Sequence, residues 1–283
     1  RFRKRGTHMS LKCIGIDIGG TSVKLGIFEE DGTLVKKWEV PTRKEENGKY
    51  ILGDIAASIR RTVKESRLEL SDFSGAGMGK PQQELSGLLD GMPVKSGNDA
   101  NVAALGEMWQ GGGKGYKNLV MVTLGTGVGG GIILNEKIWT GEQGVGGEIG
   151  HIHVMEGEKE ACNCGGHGCL EQVASATGIA RTARRMLAAD NRPSSLRSLK
   201  NISAKNVLDA AKAGDELALD SLNKSCYYLG WVLATLSMVL DPQAYIIGGG
   251  VSKAGTFLTD MIKKYHDELS PMATKKADIV LAK

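Results

Sequence analysis

The feature that most constrains the fold of this chain is a strand, a glycine-rich bend and a second strand, which occur twice. In the first copy an alternating apolar run at 13–18 leads into the bend GGT at 19–21 and continues at 23–28. In the second copy the apolar stretch 119–134 contains the bend GTG at 125–127. Turn signals follow both copies, at 30–32 and 135–137. The repetition predicts an internal duplication, with one hairpin opening each half of the chain.

Both bends have the composition of an anion-binding loop. Glycine lets successive backbone N–H groups point toward one ligand, and such a nest binds phosphate. Near the first bend, Asp17 is a candidate for holding Mg²⁺ through water and Lys24 for reaching a phosphate. An ordinary tight turn is the alternative interpretation of that bend taken alone. A third glycine cluster at 248–250 follows a predicted strand at 244–247. Together the three glycine segments favour a nucleotide held in a cleft between two domains.

A dinucleotide-binding fold is the competing interpretation of these glycines. Its G-x-G-x-x-G fingerprint requires a helix directly after the glycines. Residues 130–134 instead read GGIIL with the preceding apolar pattern and are predicted to continue as a strand. The sequence therefore favours the duplicated nucleotide cleft.

Three of the five cysteines lie in a C-x-C-G-x-x-G-C segment, residues 162–169, with His151 shortly before it. Thiolate and imidazole are ligands that Zn²⁺ prefers, and four of them complete a tetrahedron. The spacing predicts a zinc-stabilised loop with His151, Cys162, Cys164 and Cys169 as ligands. His153 and His167 remain alternatives to His151. Disulfides are disfavoured because three is an odd number and because Cys162 and Cys164 are too close to bridge easily; unligated thiols are the remaining alternative.

Polar side chains flank this cluster and a second junction earlier in the chain. Glu148 and Glu171 bracket the cysteines, so one cation would fix both relative to His151. We interpret the segment as a metal-stapled loop that presents polar groups to a small polar ligand. Asn98 and Asp99 lie where a strand passes into an alanine-rich helix. Asp99 is either a simple helix cap or a general base that faces the cleft.

The remaining elements are predicted mainly as helices. Helical patterns occur at 50–66, 82–89, 97–110, 173–189, 203–213, 216–240 and 257–269, and short strands at 92–95 and 279–283. The apolar run 227–240 is interpreted as a buried helix, with Trp231 and Met238 in the core or in a dimer interface. The passage 75–81 is short for a strand and a loop, so we expect residues of the natural protein to be absent after Gly79. The chain also stops within the strand-like run at its end.

Composition and charge limit the classes of partner. The formal net charge is +4, but residues 1–10 (RFRKRGTHMS) carry four basic and no acidic residues. That segment has the pattern of a vector-derived leader, which leaves a neutral body without the basic footprint of a nucleic-acid-binding protein. No apolar run is long enough to span a bilayer. We therefore expect a cytoplasmic protein with neither a nucleic-acid nor a membrane partner.

Taken together, the motifs resemble the ROK family of sugar kinases and repressors, and within it the bacterial glucokinases. The motifs that carry the resemblance are DIGGT at 17–21, NDANVAALGE at 98–107, LGTGVGGG at 124–131, GEIGH at 147–151, CNCGGHGCLE at 162–171 and IGGG at 247–250. The resemblance implies an α/β fold of the actin-like, ribonuclease-H-like type, with two domains around a cleft. We expect a small domain at 11–97 and a large domain at 98–283.

The resemblance also implies a role for each motif residue. Asp99 matches the catalytic base. Asn98, Glu148, His151 and Glu171, with Asp99, match sugar-binding groups, and His151, Cys162, Cys164 and Cys169 match zinc ligands. Asp17, Gly19, Gly20, Thr21 and Lys24, with Gly125, Thr126 and Gly127, match the magnesium- and phosphate-binding elements, and Gly248 and Gly249 match the adenosine side. Two departures are clear. The family's G-x-P-G loop should follow Gly79, where Lys80-Pro81 stands, and the family's C-terminal segment is expected after Leu281, where the given sequence stops at Lys283.

The activity implied is an ATP-dependent hexose kinase that uses Mg²⁺ and a structural Zn²⁺ and phosphorylates the 6-hydroxyl of glucose. N-acetylglucosamine, mannose and fructose are alternative substrates, since one or two substituents distinguish these sugars. A sugar-responsive repressor would carry a winged helix-turn-helix before the first hairpin, where only the predicted leader stands. A zinc-stabilised sugar-binding module without catalysis is the third alternative. The family also implies a homodimer through the large domain.

Overall fold

The computed structural model describes residues 11–78, 82–270 and 277–283. The chain divides into two compact units, Arg1–Asp99 and Ala100–Lys283. Each unit contains one five-stranded sheet. The predicted leader at 1–10 and the predicted gap after Gly79 both lie outside the described residues.

The first unit is a mixed sheet with helices packed on it. Its elements are β1 (Lys12–Ile18), β2 (Ser22–Phe28), β3 (Leu34–Pro41), α1 (Glu45–Gly48), α2 (Ile51–Glu65), β4 (Phe73–Met78), α3 (Gln82–Leu88) and β5 (Val94–Ser96). The strand order is β3-β2-β1-β4-β5. Ile14 of β1 and Ile27 of β2 share one buried cluster with Ile55 and Ile59 of α2. The amphipathic helix α2 thus closes the core over the hairpin that the sequence predicts.

The second unit repeats this arrangement with more helices. Its elements are α4 (Asp99–Gln110), β6 (Leu119–Leu124), β7 (Val128–Leu134), β8 (Lys137–Trp139), α5 (Glu171–Ala174), α6 (Ala176–Ala189), α7 (Ala204–Lys212), α8 (Glu216–Leu240), β9 (Ala244–Gly248), α9 (Thr256–Leu269) and β10 (Asp278–Leu281). The strand order is β10-β9-β6-β7-β8. Asn135 and Glu136 form the turn between β7 and β8 with left-handed φ angles of 52° and 64°, at the position predicted for a turn.

The two sheets have the same topology. β1 and β6 are each antiparallel to the next strand, β2 or β7, and parallel to a later strand, β4 or β9. The internal duplication predicted from the two hairpins is therefore confirmed in the sheet order. Because parallel neighbours end at the same edge, both glycine bends lie at the carboxyl edge of their own sheet, where ligands bind in open α/β sheets.

The central strands of the second unit are covered on both faces. In β6, Val120 and Val122 join the large cluster built with α5–α9, whereas Leu119 and Met121 join a smaller cluster with Ala104 of α4. Consecutive side chains of a strand point to opposite faces, which explains why β6 reads as a continuous apolar run. Burial on both faces fixes the position of the bend that follows β6.

Two predictions about helices differ from the structure: one predicted helix is broken, and one confirmed helix has exposed residues that were predicted to be buried. The helix predicted at 173–189 is broken at Ser175, which is extended and whose hydroxyl accepts a hydrogen bond from Gly178 N as the cap of α6. The helix at 216–240 is confirmed, but its run 227–240 is buried only on one face. Trp231 is 42% exposed and Met238 is 53% exposed, so the core interpretation of these residues is wrong. The dimer-interface alternative stays a prediction.

Within the described ranges, no helix meets the length and hydropathy required to cross a membrane.

Candidate functional site

The predicted metal ligands lie together in one loop of the second unit. The ligand atoms of His151, Cys162, Cys164 and Cys169 all lie within 4.8 Å of one another. Short bridges between His153 and Cys169 and between Ala161 and His167 fold the loop back on itself. All five cysteines are free thiols. The disulfide alternative therefore does not describe this loop.

The distances inside the cluster fit a tetrahedral zinc site. The Sγ atoms of Cys164 and Cys169 are 3.6 Å apart, and Cys162 Sγ is 3.6 Å from His151 Nδ1. Bond lengths of about 2.3 Å to sulfur and about 2.0 Å to nitrogen place two ligand atoms of a tetrahedron about 3.5–3.8 Å apart. The donor set and its spacing thus suit a structural zinc ion.

The two other candidate histidines are engaged elsewhere. His153 Nδ1 lies 2.7 Å from the carbonyl oxygen of His167, and His167 Nδ1 lies 3.1 Å from the carbonyl oxygen of Glu160. Both rings therefore join segments of the loop backbone rather than completing the thiol cluster. This geometry favours His151 as the fourth ligand.

Burial makes two of the three clustered thiols, Cys162 and Cys169, costly to ionise on their own. Desolvation, reinforced by the neighbouring thiols, raises the pKa of Cys169 to about 12, and desolvation also raises the pKa of Cys162. A coordinating cation reverses this preference, because it binds the thiolate and displaces the proton. The cluster is therefore chemically suited to a metal ion rather than to three ionised thiols.

Two arginines of α6 anchor the loop that contains the cluster. The Glu158 side chain is only 5% exposed and receives Arg185 Nη1 at 2.7 Å. Glu160 receives Arg181 Nη1 at 2.7 Å. The hydrogen bond from Arg185 lowers the pKa of Glu158 to about 2. The loop is thus fixed to α6 by ion pairs as well as by its own bridges.

The depressed pKa of Glu158 predicts an acid-dependent stability. The carboxylate stabilises the fold fully above its unfolded pKa of about 4.5, and this contribution is lost as the pH falls toward about 2. We expect Glu158→Gln to unfold at lower urea concentration than wild type at pH 6. The difference between the two proteins should shrink steadily below about pH 4.5.

The measurement is urea unfolding of both proteins at several pH values. Any acid-induced metal loss affects both proteins, so the difference isolates Glu158. The matched control is Asp209→Asn, since Asp209 pairs with the largely exposed Lys205 and such pairs contribute little. A difference for Glu158→Gln that stays constant from pH 6 to pH 3 would contradict the assignment.

The acidic residues around the cluster converge on it. Glu148 Oε2 is 3.9 Å from His151 Nε2. Glu171 Oε1 lies 3.5 Å from Cys162 Sγ, and its Oε2 accepts a hydrogen bond from Val128 N at 3.1 Å. His151 thus directs one nitrogen toward the thiols and the other toward a carboxylate, a pairing that orients metal-bound histidines. The structure brings Glu148, His151 and Glu171 together at one place.

The second glycine bend lies beside this cluster and beside the third glycine turn. Ala176 N, at the start of α6, donates to Gly125 O at 2.8 Å. Gly249 has a left-handed φ of 85°, and a Cβ added there would lie 2.5 Å from Leu124 O. The two glycine segments therefore meet at the carboxyl ends of the parallel strands β6 and β9. Gly248 ends β9 opposite Thr123.

Two residues that no sequence motif indicates, Thr42 and Lys44, lie against the first glycine bend. Thr42 Oγ1 donates to Gly19 O at 2.7 Å. The Lys44 ammonium lies 3.6 Å from the position of a Cβ added at Gly20. In the strand register, Lys24 of β2 lies opposite Asp17 of β1 and opposite Glu39 of β3. Thr42 and Lys44 are distant in sequence, and only the register of β2 against β3 brings them to the bend.

Asn98 and Asp99 lie at the carboxyl edge of the first sheet. Gly97 N donates to Met78 O at 3.1 Å, which fixes the exit of β5 beside the end of β4. Asp99 is the first residue of α4 and is exposed. The next residue, Ala100, packs on the glycines of β7, where a Cβ added at Gly131 would lie 2.6 Å from Ala100 O. The glycine run of β7 therefore sets where α4 begins.

The duplicated sheet order and the glycine bends at the carboxyl edges define the actin-like ATPase class of fold. The comparisons with known proteins then specify the family. The sequence pattern of the ROK family matches residues 82–283, and the chain belongs to this family.

Known relatives and solved structures agree with that assignment. The chain is 41% identical over 280 residues to a glucokinase of Halalkalibacterium halodurans, covering 90% of this chain and 84% of that protein. It is similar to the crystal structure of a ROK family glucokinase from Streptomyces griseus in complex with glucose and AMPPNP, with a TM-score of 0.73 and 32% identity over 96% of this chain and 94% of that chain. It is also similar to the ROK hexokinase of Thermus thermophilus, with a TM-score of 0.80 and 28% identity over 96% and 93% of the two chains.

Proposed function

We propose that this protein is an ATP-dependent hexose kinase that transfers the γ-phosphoryl group of ATP to the 6-hydroxyl of glucose. The observation that carries the proposal is the thiol–imidazole cluster, which brings Glu148, His151 and Glu171 together beside the second glycine bend. The relatives support it, since the Halalkalibacterium protein is named a glucokinase and the Streptomyces structure contains glucose and AMPPNP.

The sugar is proposed to bind through carboxylates, an amide and an imidazole. Each sugar hydroxyl both donates and accepts a hydrogen bond, and carboxylate oxygens, an asparagine amide and a histidine nitrogen satisfy both roles. Glu148, His151 and Glu171 supply such groups in the second unit, and Asn98 supplies an amide. Zinc would be held by His151 and the three clustered cysteines, and its contribution is to fix these polar groups in place.

Phosphoryl transfer requires positioning and charge neutralisation more than covalent chemistry. We propose that Asp99 accepts the proton of the 6-hydroxyl as that oxygen attacks the γ-phosphorus, while the bond from that phosphorus to the β,γ-bridging oxygen breaks and ADP leaves. Backbone N–H groups of the bends at 19–21 and 125–127, with Lys24, are proposed to bind the phosphates, and Gly248 and Gly249 to border the adenosine. Asp17 would hold Mg²⁺ through water, and the ion would neutralise charge on the polyphosphate.

The test is a coupled assay of ADP release with ATP, Mg²⁺ and a panel of hexoses. We expect turnover with glucose at kcat/KM at least tenfold above that with N-acetylglucosamine, mannose or fructose, because a site built for particular hydroxyls rejects altered substituents. A higher kcat/KM for another hexose would replace glucose as the substrate. Sugar binding without ADP release from any hexose would refute the kinase and leave a binding module.

A homodimer is proposed as the functional assembly. Tyr227, Trp231 and Met238 are exposed apolar residues spaced along α8, and a partner subunit would cover such a face. Sedimentation equilibrium at micromolar concentration distinguishes a dimer from a monomer, and a monomer throughout that range would refute the proposal.

We also place the protein in the cytoplasm. Its five cysteines are unpaired, as expected for a reducing compartment. Recovery of the native protein only from an oxidising compartment after cell fractionation would overturn this placement.

A further inference from the structure

Glu171 touches both the metal loop and the second glycine bend. It begins α5, two residues after the metal ligand Cys169. Its Oε1 lies 3.5 Å from Cys162 Sγ, and its Oε2 receives the N–H of Val128 at 3.1 Å. The link to Val128 spans 43 residues of sequence. One carboxylate therefore joins the two segments.

The approach of Glu171 to the bend is close. A Cβ added at Gly127 would lie 2.0 Å from Glu171 Oε2, so the carboxylate occupies the space that a larger residue would fill. The bend is also held at its other end, where Ala176 N donates to Gly125 O at 2.8 Å. The segment 171–176 thus holds the bend at both ends. The Glu171 carboxylate accepts the backbone N–H of Val128, and the backbone N–H of Ala176 donates to Gly125 O.

The backbone of Glu171 is in turn fixed by the metal loop. Gln172 N donates to Cys169 O at 2.9 Å, and Cys169 N donates to Gln172 Oε1 at 3.1 Å. Cys169 is therefore tied to the first turn of α5 in both directions. Any ion that immobilises the Cys169 sulfur also immobilises the backbone from which the Glu171 carboxylate extends.

From these contacts we infer that Glu171 is a positioning residue through which the metal loop sets the conformation of the second glycine bend. Metal occupancy then controls affinity for the nucleotide polyphosphate, in addition to affinity for the sugar. The inference rests on the proposed function, because it takes the ligand of the bend to be a nucleotide. It differs from a pure sugar-contact role of Glu171, which leaves nucleotide binding in the absence of sugar unchanged.

The test measures the affinity of MgADP by calorimetry with no hexose present. Wild type and Glu171→Ala are each compared with the metal loop loaded and after chelation and return of Mg²⁺, with metal content checked by elemental analysis. We expect metal removal to weaken ADP binding of wild type by roughly tenfold, the scale of one charge-assisted hydrogen bond. Glu171→Ala should bind ADP weakly in both states, because the coupling between the two segments is lost.

Two further variants sharpen the comparison. Glu171→Gln keeps an acceptor for the Val128 N–H, so its ADP affinity should stay within about threefold of wild type and should still depend on the metal. The matched control is Glu156→Ala, in the same loop, because Glu156 is exposed. Its ADP affinity and metal dependence should equal those of wild type. If Glu171→Ala does not fold, wild type and Glu171→Gln decide the outcome.

The ADP affinities distinguish failure of the inference from failure of the proposed function. An ADP affinity of wild type that is the same with and without metal overturns the inference while leaving the kinase intact. So does a Glu171→Ala variant that loses as much affinity on metal removal as wild type does. Absence of ADP binding by metal-loaded wild type refutes the proposed function itself, and the inference with it.

Discussion

Asp99→Asn is expected to lower kcat by roughly 10²- to 10⁴-fold, the usual contribution of a positioned general base. Glucose affinity should stay within about threefold of wild type, because asparagine has nearly the same shape and retains a carbonyl acceptor. Asp99 is the first helical residue of α4, and its replacement by asparagine removes one favourable charge near the helix N-terminus, so the protein should lose at most about 1 kcal/mol of stability. The loss of kcat would therefore report the missing base alone.

The measurement combines steady-state kinetics with calorimetric titration of glucose. Asp260→Asn is the control, because Asp260 is an exposed aspartate in α9 of the second unit. Its kinetics should match those of wild type. If Asp99→Asn retained more than about a tenth of the wild-type kcat, Asp99 would not be the base.

Loss of the metal should abolish glucose binding and destabilise the protein together. Cys164→Ser removes one of four ligands, and the remaining three atoms no longer close a tetrahedron. We expect glucose affinity to fall by at least about a hundredfold and the melting temperature to fall by roughly 5–10 °C, because binding free energy of a structural metal is also folding free energy. Chelation of wild type should reproduce both effects.

Elemental analysis, glucose titration and thermal unfolding together test this expectation. Cys13→Ser is the control, since Cys13 lies in β1 outside the cluster and is only partly buried. It should retain metal, glucose affinity and melting temperature. Normal glucose affinity in a preparation proven to be free of metal would show that the polar groups are positioned without the ion.

The elements that local pattern determines were predictable from the sequence. The first hairpin begins with an alternating apolar strand, the second begins with a continuous apolar strand, and α8 carries a continuous helical pattern. β3 was not predictable because it is an edge strand whose half-buried positions are Lys36, Trp38 and Val40, so the apolar alternation is interrupted by a lysine. The break at Ser175 was missed because α5 and α6 both contribute to one cluster, so the apolar pattern continues across the cap.

The site was predictable in composition but not in all its contacts. The cysteine spacing was sufficient to predict a metal-binding loop, yet three histidines remained possible until the rings of His153 and His167 were seen to contact backbone carbonyls. The contact of Glu171 with Val128 depends on the register between distant segments, which no local pattern records. Trp231 shows a further limit. An apolar residue at helical spacing has the same sequence pattern whether it is buried in the core of its own chain or faces a partner subunit.

The metal loop occupies a definite place in the duplicated plan. In the first half, the third strand of the sheet passes to the next helix through residues 42–44 alone. In the second half, the equivalent connection between β8 and α5 is 140–170, and it contains Glu148, His151 and all three clustered cysteines. The clustered thiols and His151, together with Glu148, therefore lie in a long connection whose counterpart in the first half is three residues long. On the proposed function, exchanging that connection is expected to change which sugar is bound while both hairpins keep their strand register.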